Sequence, residues 1–313
     1  MKLLIAYDGS EGSDIAIDEL QREGLPAEAE ALVVSVAEVW LPPQGEVPVD
    51  VFPANVPVAV KLAHQRVERM MEEATALARR GSERVQRIFP RWRVSYEAMS
   101  GSPAFELLNR AGEWKPDLIV VGSKGHTALG RFVLGSVSQK VLTEAPISVH
   151  VGRLPTGSGK SAERIVVGVD GSPGSQVAVR VVAARMWSPG SEVRVVVAYD
   201  LPMDVGISFM PAGIDEMIEA NRTQAEEFAA EAVKELRARL ADKSVTVSYV
   251  VEPGDPKRVL VRHAEEFGAD CIFTGASGFS NRLERFVLGS VSAAVAARAH
   301  CSVEVVRSSQ DRR

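Results

Sequence analysis

The chain has very little cysteine: two residues in 313, Cys271 and Cys301. Two thiols cannot build the dense disulfide framework of small exported folds. The opening MKLLIAYDGS is a short apolar run that turns acidic at Asp8. It reads as a first strand rather than a leader, and a reducing cytoplasm is the expected setting. Positive charge is not in excess either. The formal net charge is -5, whereas a general nucleic-acid binder needs a basic surface. No apolar run reaches the length of a membrane span.

Catalytic signatures are equally scarce. The five histidines (His64, His126, His150, His263 and His300) are scattered, with no pair at metal-ligand spacing on a helix face. His150 alternates within ISVHV, which favours an outward or interface position over a ligand role. No G-x-S-x-G elbow surrounds a serine. Asp8 lacks the neighbouring acids and the lysine of a phosphoacceptor receiver. Cys271 lies in an apolar strand context and reads as inert core.

What the sequence does contain is a repeat. RFVLGSVS occurs at Arg131 to Ser138 and again at Arg285 to Ser292. Alignment on the octet exposes five further matched blocks. KLLIAYDGS (Lys2 to Ser10) matches RIVVGVDGS (Arg164 to Ser172). ALVVSVAE (Ala31 to Glu38) matches VRVVVAYD (Val193 to Asp200), and WRVSYEAMSGSP (Trp92 to Pro103) matches VTVSYVVEPGDP (Val245 to Pro256). KPDLIVVGSKG (Lys115 to Gly125) matches GADCIFTGASG (Gly268 to Gly278), and APISVHVGR (Ala145 to Arg153) matches HCSVEVVRS (His300 to Ser308). Each block carries the β-branched run of a strand.

Helical spacing lies between them. Val67, Met70, Met71, Ala74, Leu77 and Ala78 share one face, as do Phe228, Ala232, Leu236 and Leu240, and such stripes read as core packing. Each half therefore reads β-α-β-α-β-α-β-α-β, a doubly wound α/β domain with a five-stranded parallel sheet covered on both faces. The expected division is a first domain over 1–152, a linker over 153–163 and a second domain over 164–308. The linker contains TGSGKSAE, which resembles the end of a phosphate-binding P-loop. That motif needs a glycine at Leu154 and a helix after the serine, and here a strand block follows at Arg164. Two proline-rich stretches, Val39 to Pro57 and Leu201 to Gly213, read as long loops.

In a doubly wound sheet, ligands bind beyond the carboxyl ends of the strands where the strand order reverses. Asp8 and Asp170 end the first strand of each half, and Gly122 and Gly275 end the fourth. Gly122 and Gly125 would allow close backbone approach and positive φ. Gly135-Ser136 precedes a helical stretch from Val137 to Glu144, whose free N–H groups suit an anion, with Ser136 as N-cap or phosphate donor. Lys124, His126 and Arg131 add positive charge. A glycine turn and an ordinary cap explain any one of these elements, but not the recurrence of the set. A local turn role for Asp8 through D-G-S is the competing reading, and the recurrence at Asp170 favours ligand contact over it.

G-x-x-G, nine residues, then G-S, at Gly122, Gly125 and Gly135-Ser136, resembles the nucleotide-binding pattern of the universal stress protein family. The D-G-S segments resemble it too, and the likeness covers nearly the whole chain as two tandem domains. It implies a Rossmann-like fold of strand order 3-2-1-4-5 and ATP, with Mg2+, as the cofactor. In the ATP-binding branch the nucleoside would be held by the residues matching Asp8 and Val36. Ribose and phosphates would lie at the glycines, Ser136 and Val137. The matching set in the second half is Asp170, Ala198, Gly275, Gly278, Arg282, Gly289, Ser290 and Val291. That half departs from the pattern: ten residues separate Gly278 from Gly289, Phe279 replaces His126, and Ala198 replaces Val36. ATP is thus expected more firmly at the first site.

The resemblance also implies that the last strands of the two halves pair with each other, and that chains associate as a homo-oligomer. The octet would close the phosphate loop and, through Phe132, Val133 and Leu134, pack it onto the domain or against the other half. Three functional classes stay open: a nucleotide-responsive regulatory protein, a slow ATPase or self-phosphorylating protein, and an interaction module without nucleotide.

Overall fold

The computed structural model describes residues 1–39, 56–125, 134–154, 162–200, 214–276 and 288–308. The first half runs β1 (Lys2–Ala6), α1 (Glu11–Glu19), β2 (Glu30–Ala37), α2 (Val56–Ile88), β3 (Arg93–Ser100), α3 (Pro103–Trp114), β4 (Leu118–Gly122), α4 (Ser136–Glu144) and β5 (Ser148–Gly152). The second half repeats it as β6 (Arg164–Gly168), α5 (Pro173–Ala184), β7 (Glu192–Tyr199), α6 (Ile214–Leu240), β8 (Thr246–Pro253), α7 (Pro256–Phe267), β9 (Cys271–Gly275), α8 (Ser290–Arg298) and β10 (Ser302–Val306). The strand and helix blocks expected from the repeat are these elements. Residues 155–161 of the linker lie outside the described residues, and β6 follows where a P-loop would require a helix.

Local chemistry sets the ends of the helices. Ser10 and Ser172 cap α1 and α5, each accepting a backbone N–H three residues on. Pro103 and Pro256 open α3 and α7, where the missing N–H costs nothing. Lys115 and Gly268 close those two helices in the left-handed conformation.

Within each half the strands are parallel, in the order 3-2-1-4-5. The two sheets join through β5 and β10, which pair antiparallel with Val303 opposite Val151, Glu304 opposite His150 and Val305 opposite Val149. The result is a single ten-stranded sheet with β3 and β8 at its edges. The last strand of each half is therefore at the centre of the molecule.

Strand alternation gives the seam two different faces. On one face Val149, Val151, Val303 and Val305 join a core that runs unbroken through both halves, with residues of α3, α4, α7 and α8. On the other face the core divides into one body per half. Between those bodies lie four buried ionisable side chains: Glu23, His150, Arg185 and Glu304.

The repeat relates these four in pairs. Glu23 corresponds to Arg185, after the first helix of each half, and His150 corresponds to Glu304, in the last strand. Both Glu304 oxygens accept from Arg185 Nη2 at 2.7 Å. The related pair carries the opposite polarity, an acid after the helix and a base on the strand, and stands farther apart. His150 Nε2 is 3.9 Å from Glu23 Oε1. Burial pushes Glu23 up to about 8 and His150 down to about 3, so both are uncharged at neutral pH. His150 is thus an interface residue, and its outward alternative does not occur.

Cross-bonds reinforce the seam symmetrically. Arg153 donates to the Ala296 carbonyl and Arg307 to that of Leu142. The Arg153 amide donates to Ser302 Oγ and the Arg307 amide to Ser148 Oγ, both at 3.1 Å.

Removing one member of the buried ion pair strands the other. Glu304→Leu is expected to cost ~3–5 kcal/mol of stability. The double variant Glu304→Leu with Arg185→Met is expected to cost less than that single change. Urea unfolding midpoints of the two variants check the order.

Candidate functional site

At the carboxyl end of the first-half sheet, β1 leads into Asp8-Gly9-Ser10. Gly9 sits at φ +76, a left-handed position, and a Cβ there would also lie 2.6 Å from Leu77 Cδ2. One oxygen of the exposed Asp8, Oδ1, accepts from the Ser10 amide at 3.0 Å and from Ser10 Oγ at 2.5 Å. The turn-forming reading of D-G-S is therefore realised in one half of this carboxylate. The other oxygen, Oδ2, faces Gly125, where an added Cβ would stand 2.8 Å away. The second half repeats the turn: Asp170 Oδ1 accepts from Ser172 at 3.0 and 2.5 Å, and Gly171 sits at φ +77.

The end of β4 is pressed against the first turn of α1. A Cβ on Gly122 would lie 2.7 Å from the Gly12 carbonyl, and one on Gly12 would lie 2.1 Å from the Lys124 carbonyl. Gly275 meets Gly174 in the same way, at 2.4 Å. Gly122, Gly125 and Gly275 do not adopt positive φ; of the two roles expected for Gly122 and Gly125, close approach stands and left-handed backbone is corrected. Gly12 and Gly174 were not singled out from sequence. The signal was present in DGSEG (Asp8 to Gly12) and DGSPG (Asp170 to Gly174), which share a glycine two residues past the serine.

The phosphate-loop pattern leaves the described chain at Gly125 and returns at Leu134. Its ends are held together. The Gly135 amide donates to the Ser123 carbonyl at 2.8 Å, and Ser138 Oγ donates to the Gly122 carbonyl at 2.6 Å. In the second half Gly289 donates to Ala276 at 2.7 Å and Ser292 Oγ to Gly275 at 2.5 Å. The extra residue of the second half therefore leaves both anchors in place. His126, Arg131, Gly278 and Arg282 lie outside the described residues, as do Phe132 and Val133. Leu134, the described apolar residue of the first octet, is buried in the seam core.

Helix α4 begins one residue earlier than expected. Ser136 is its first helical residue and Gly135 is the cap, at φ -62 and ψ 150, with no side chain capping the end. The expectation of Ser136 as N-cap is corrected: its hydroxyl is exposed beside the first turn instead. Ser290 and Gly289 hold the same positions in α8. The contrast with α1 is informative. Ser10 closes the N-terminus of α1 with its own hydroxyl, whereas the N-termini of α4 and α8 are left open to an acceptor from outside. Val137 and Val291 pack partly buried behind those open ends.

The second strand supplies the remaining wall. Val36 is half-buried and pairs with Met99 of β3. Its counterpart Ala198 pairs instead with Glu252 of β8. His263 Nε2 stands 2.6 Å from Glu252 Oε2, and Arg262 bonds the other oxygen. Those bonds, His263 first, hold the Glu252 carboxyl below its ordinary range. The first half thus offers an apolar wall, and the second a charged one.

Two doubly wound domains, joined edge to edge and each with an uncapped helix N-terminus after its fourth strand and an acidic turn after its first, define the class. A universal stress protein family model matches residues 1–153 and again 162–307, and the chain belongs to that family. It is 34% identical to a universal stress protein of Thermus aquaticus over 151 residues, 48% of this chain and 97% of that one. It is 33% identical to one of Mycobacterium bovis over 218 residues, 69% of this chain and 70% of the other. The fold is similar to that of a universal stress protein from Archaeoglobus fulgidus, with a TM-score of 0.58 at 19% identity over 98% of both chains. Among the described residues, no helix is long and apolar enough to cross a membrane.

The glycine contacts separate crowded positions from open ones. Gly12→Ala drives a methyl into the Lys124 backbone and is expected to cost ~1–3 kcal/mol. Gly125→Ala meets only the tip of the exposed Asp8 side chain, and its cost is expected to stay within ~0.5 kcal/mol. Thermal denaturation of the two variants checks the difference.

Proposed function

We propose that the protein binds ATP, as its magnesium complex, at the first-half site and acts as a nucleotide-responsive regulator. The observation that carries this reading is the uncapped N-terminus of α4 at Gly135, Ser136 and Val137, with Gly125 set between it and Asp8 Oδ2. In this reading the phosphates take the first-turn N–H groups of α4 and the Ser136 hydroxyl. Lys124, His126 and Arg131 add charge to that end. Asp8 Oδ2 accepts from ribose hydroxyls, and the base lies against Val36 and Met99. Bound nucleotide would contact the segment between Gly125 and Leu134 and so shift the population that partner proteins meet.

The corresponding set in the second half is Asp170, Ala198, Gly275, Gly278, Arg282, Gly289, Ser290 and Val291. It has the same anchors and open helix end, but it sets the ionised Glu252 beside Ala198, where the first half has Met99. An apolar base face is disfavoured there. The second half is therefore the weaker nucleotide site.

Gly135→Val tests the assignment cleanly. Among the described residues, an added Cβ at Gly135 comes no closer than 3.6 Å to any group beyond its chain neighbours, and the backbone there is extended, so the described fold accepts the change. The side chain would nevertheless stand at the mouth of the helix. Isothermal titration of MgATP is expected to give one strong site, weakened by more than about tenfold in Gly135→Val, a loss of over ~1.4 kcal/mol. Gly289→Val is expected to retain it. Absence of binding heat in the unaltered protein would sink the proposal.

A further inference from the structure

The seam contains buried groups that the pairing of the two halves leaves unused. Glu23 follows α1, His150 lies on β5 and Cys271 begins β9, so the first two come from one half and the third from the other. All three are buried to within 1%. The potential ligand atoms, a Glu23 oxygen, an imidazole nitrogen and the Cys271 sulfur, lie within 4.8 Å of one another. Glu23 Oε2 and both ring nitrogens of His150 have no hydrogen-bond partner. A buried polar atom left unsatisfied is destabilising, and this cluster holds three.

We propose that Glu23, His150 and Cys271 bind one divalent transition-metal ion of the zinc class at the junction of the two halves. The donor set is one thiolate, one imidazole and one carboxylate, a combination that suits zinc. Its charge fits a dry site, since thiolate and carboxylate together neutralise a divalent cation. Uptake releases the thiol proton and the carboxyl proton to solvent. Zinc bond lengths place tetrahedral donors about 3.5 Å apart, so donors within 4.8 Å of one another need a contraction of up to about 1.3 Å.

The surroundings supply the outer support that such sites use. His150 Nε2 faces Glu23 at 3.9 Å, and Nδ1 faces Glu304 Oε2 at 3.8 Å. With Nε2 on the metal, the Nδ1–H points to a carboxylate that Arg185 holds in place. The repeat shows why one site forms per chain. Glu23 and His150 correspond to Arg185 and Glu304, which form an ion pair, and Cys271 corresponds to Leu118. Sequence spacing concealed the cluster because the third ligand arrives from the other half.

The site is enclosed, so loading is best done during folding. The full chain is unfolded with chelator and reductant, stripped, and refolded with Co2+. The expected result is one cobalt per chain retained through gel filtration, with a thiolate-to-cobalt charge-transfer band that zinc abolishes. Cys301→Ala, which alters the other buried thiol, is expected to keep the band, and Cys271→Ala to lose it. Refolded protein without retained cobalt or band, or an equal band in Cys271→Ala, overturns the proposal. If Cys271→Ala does not fold, the thiolate band of the unaltered chain together with its survival in Cys301→Ala decides in favour, and its loss in Cys301→Ala decides against.

Discussion

The antiparallel pairing of β5 with β10 is the constraint on which the rest of the molecule depends. A strand at the edge of a sheet exposes a row of unpaired N–H and C=O groups and invites pairing. Each half has one such strand next to its β4 or β9, and each satisfies the other's. This joins two five-stranded sheets into one and makes a common core on one face. It also consumes both strands within one chain. Any association between chains has to use another surface, because the strand through which halves of this kind meet is already occupied.

The fold was legible because duplication wrote it twice. Lys2 to Ser10 and Arg164 to Ser172 share an apolar run, an acid, a glycine and a serine, and each element has a physical role that the structure bears out. The β-branched residues form a central strand, the acid folds back onto the serine, the glycine takes the left-handed turn, and the serine caps the helix. Such features are local, so a short stretch of sequence carries all of them.

What was missed depends on contacts between distant segments. Gly12 is a glycine because β4 passes over it, and nothing within α1 says so. Gly122 and Gly125 were expected to give both close approach and positive φ, and only the close approach is used. Met99 and Glu252 distinguish the two sites only once β3 and β8 are set beside β2 and β7. The polar cluster at the seam was the least legible part. His150 could be read as an interface residue, but its neighbours Glu23, Arg185 and Cys271 are scattered along the chain.

The reversed polarity of the seam pairs has a further consequence. Two copies of the first half meeting through β5 would set His150 against His150 between two acids. Two copies of the second half would set Glu304 against Glu304 between two arginines. Both arrangements set like groups opposite each other across the seam, where the unlike halves set His150 opposite Glu304. The exchange of acid and base between the repeats thus acts as a ratchet on the history of the chain. It makes the two modules a left and a right, no longer interchangeable at the seam.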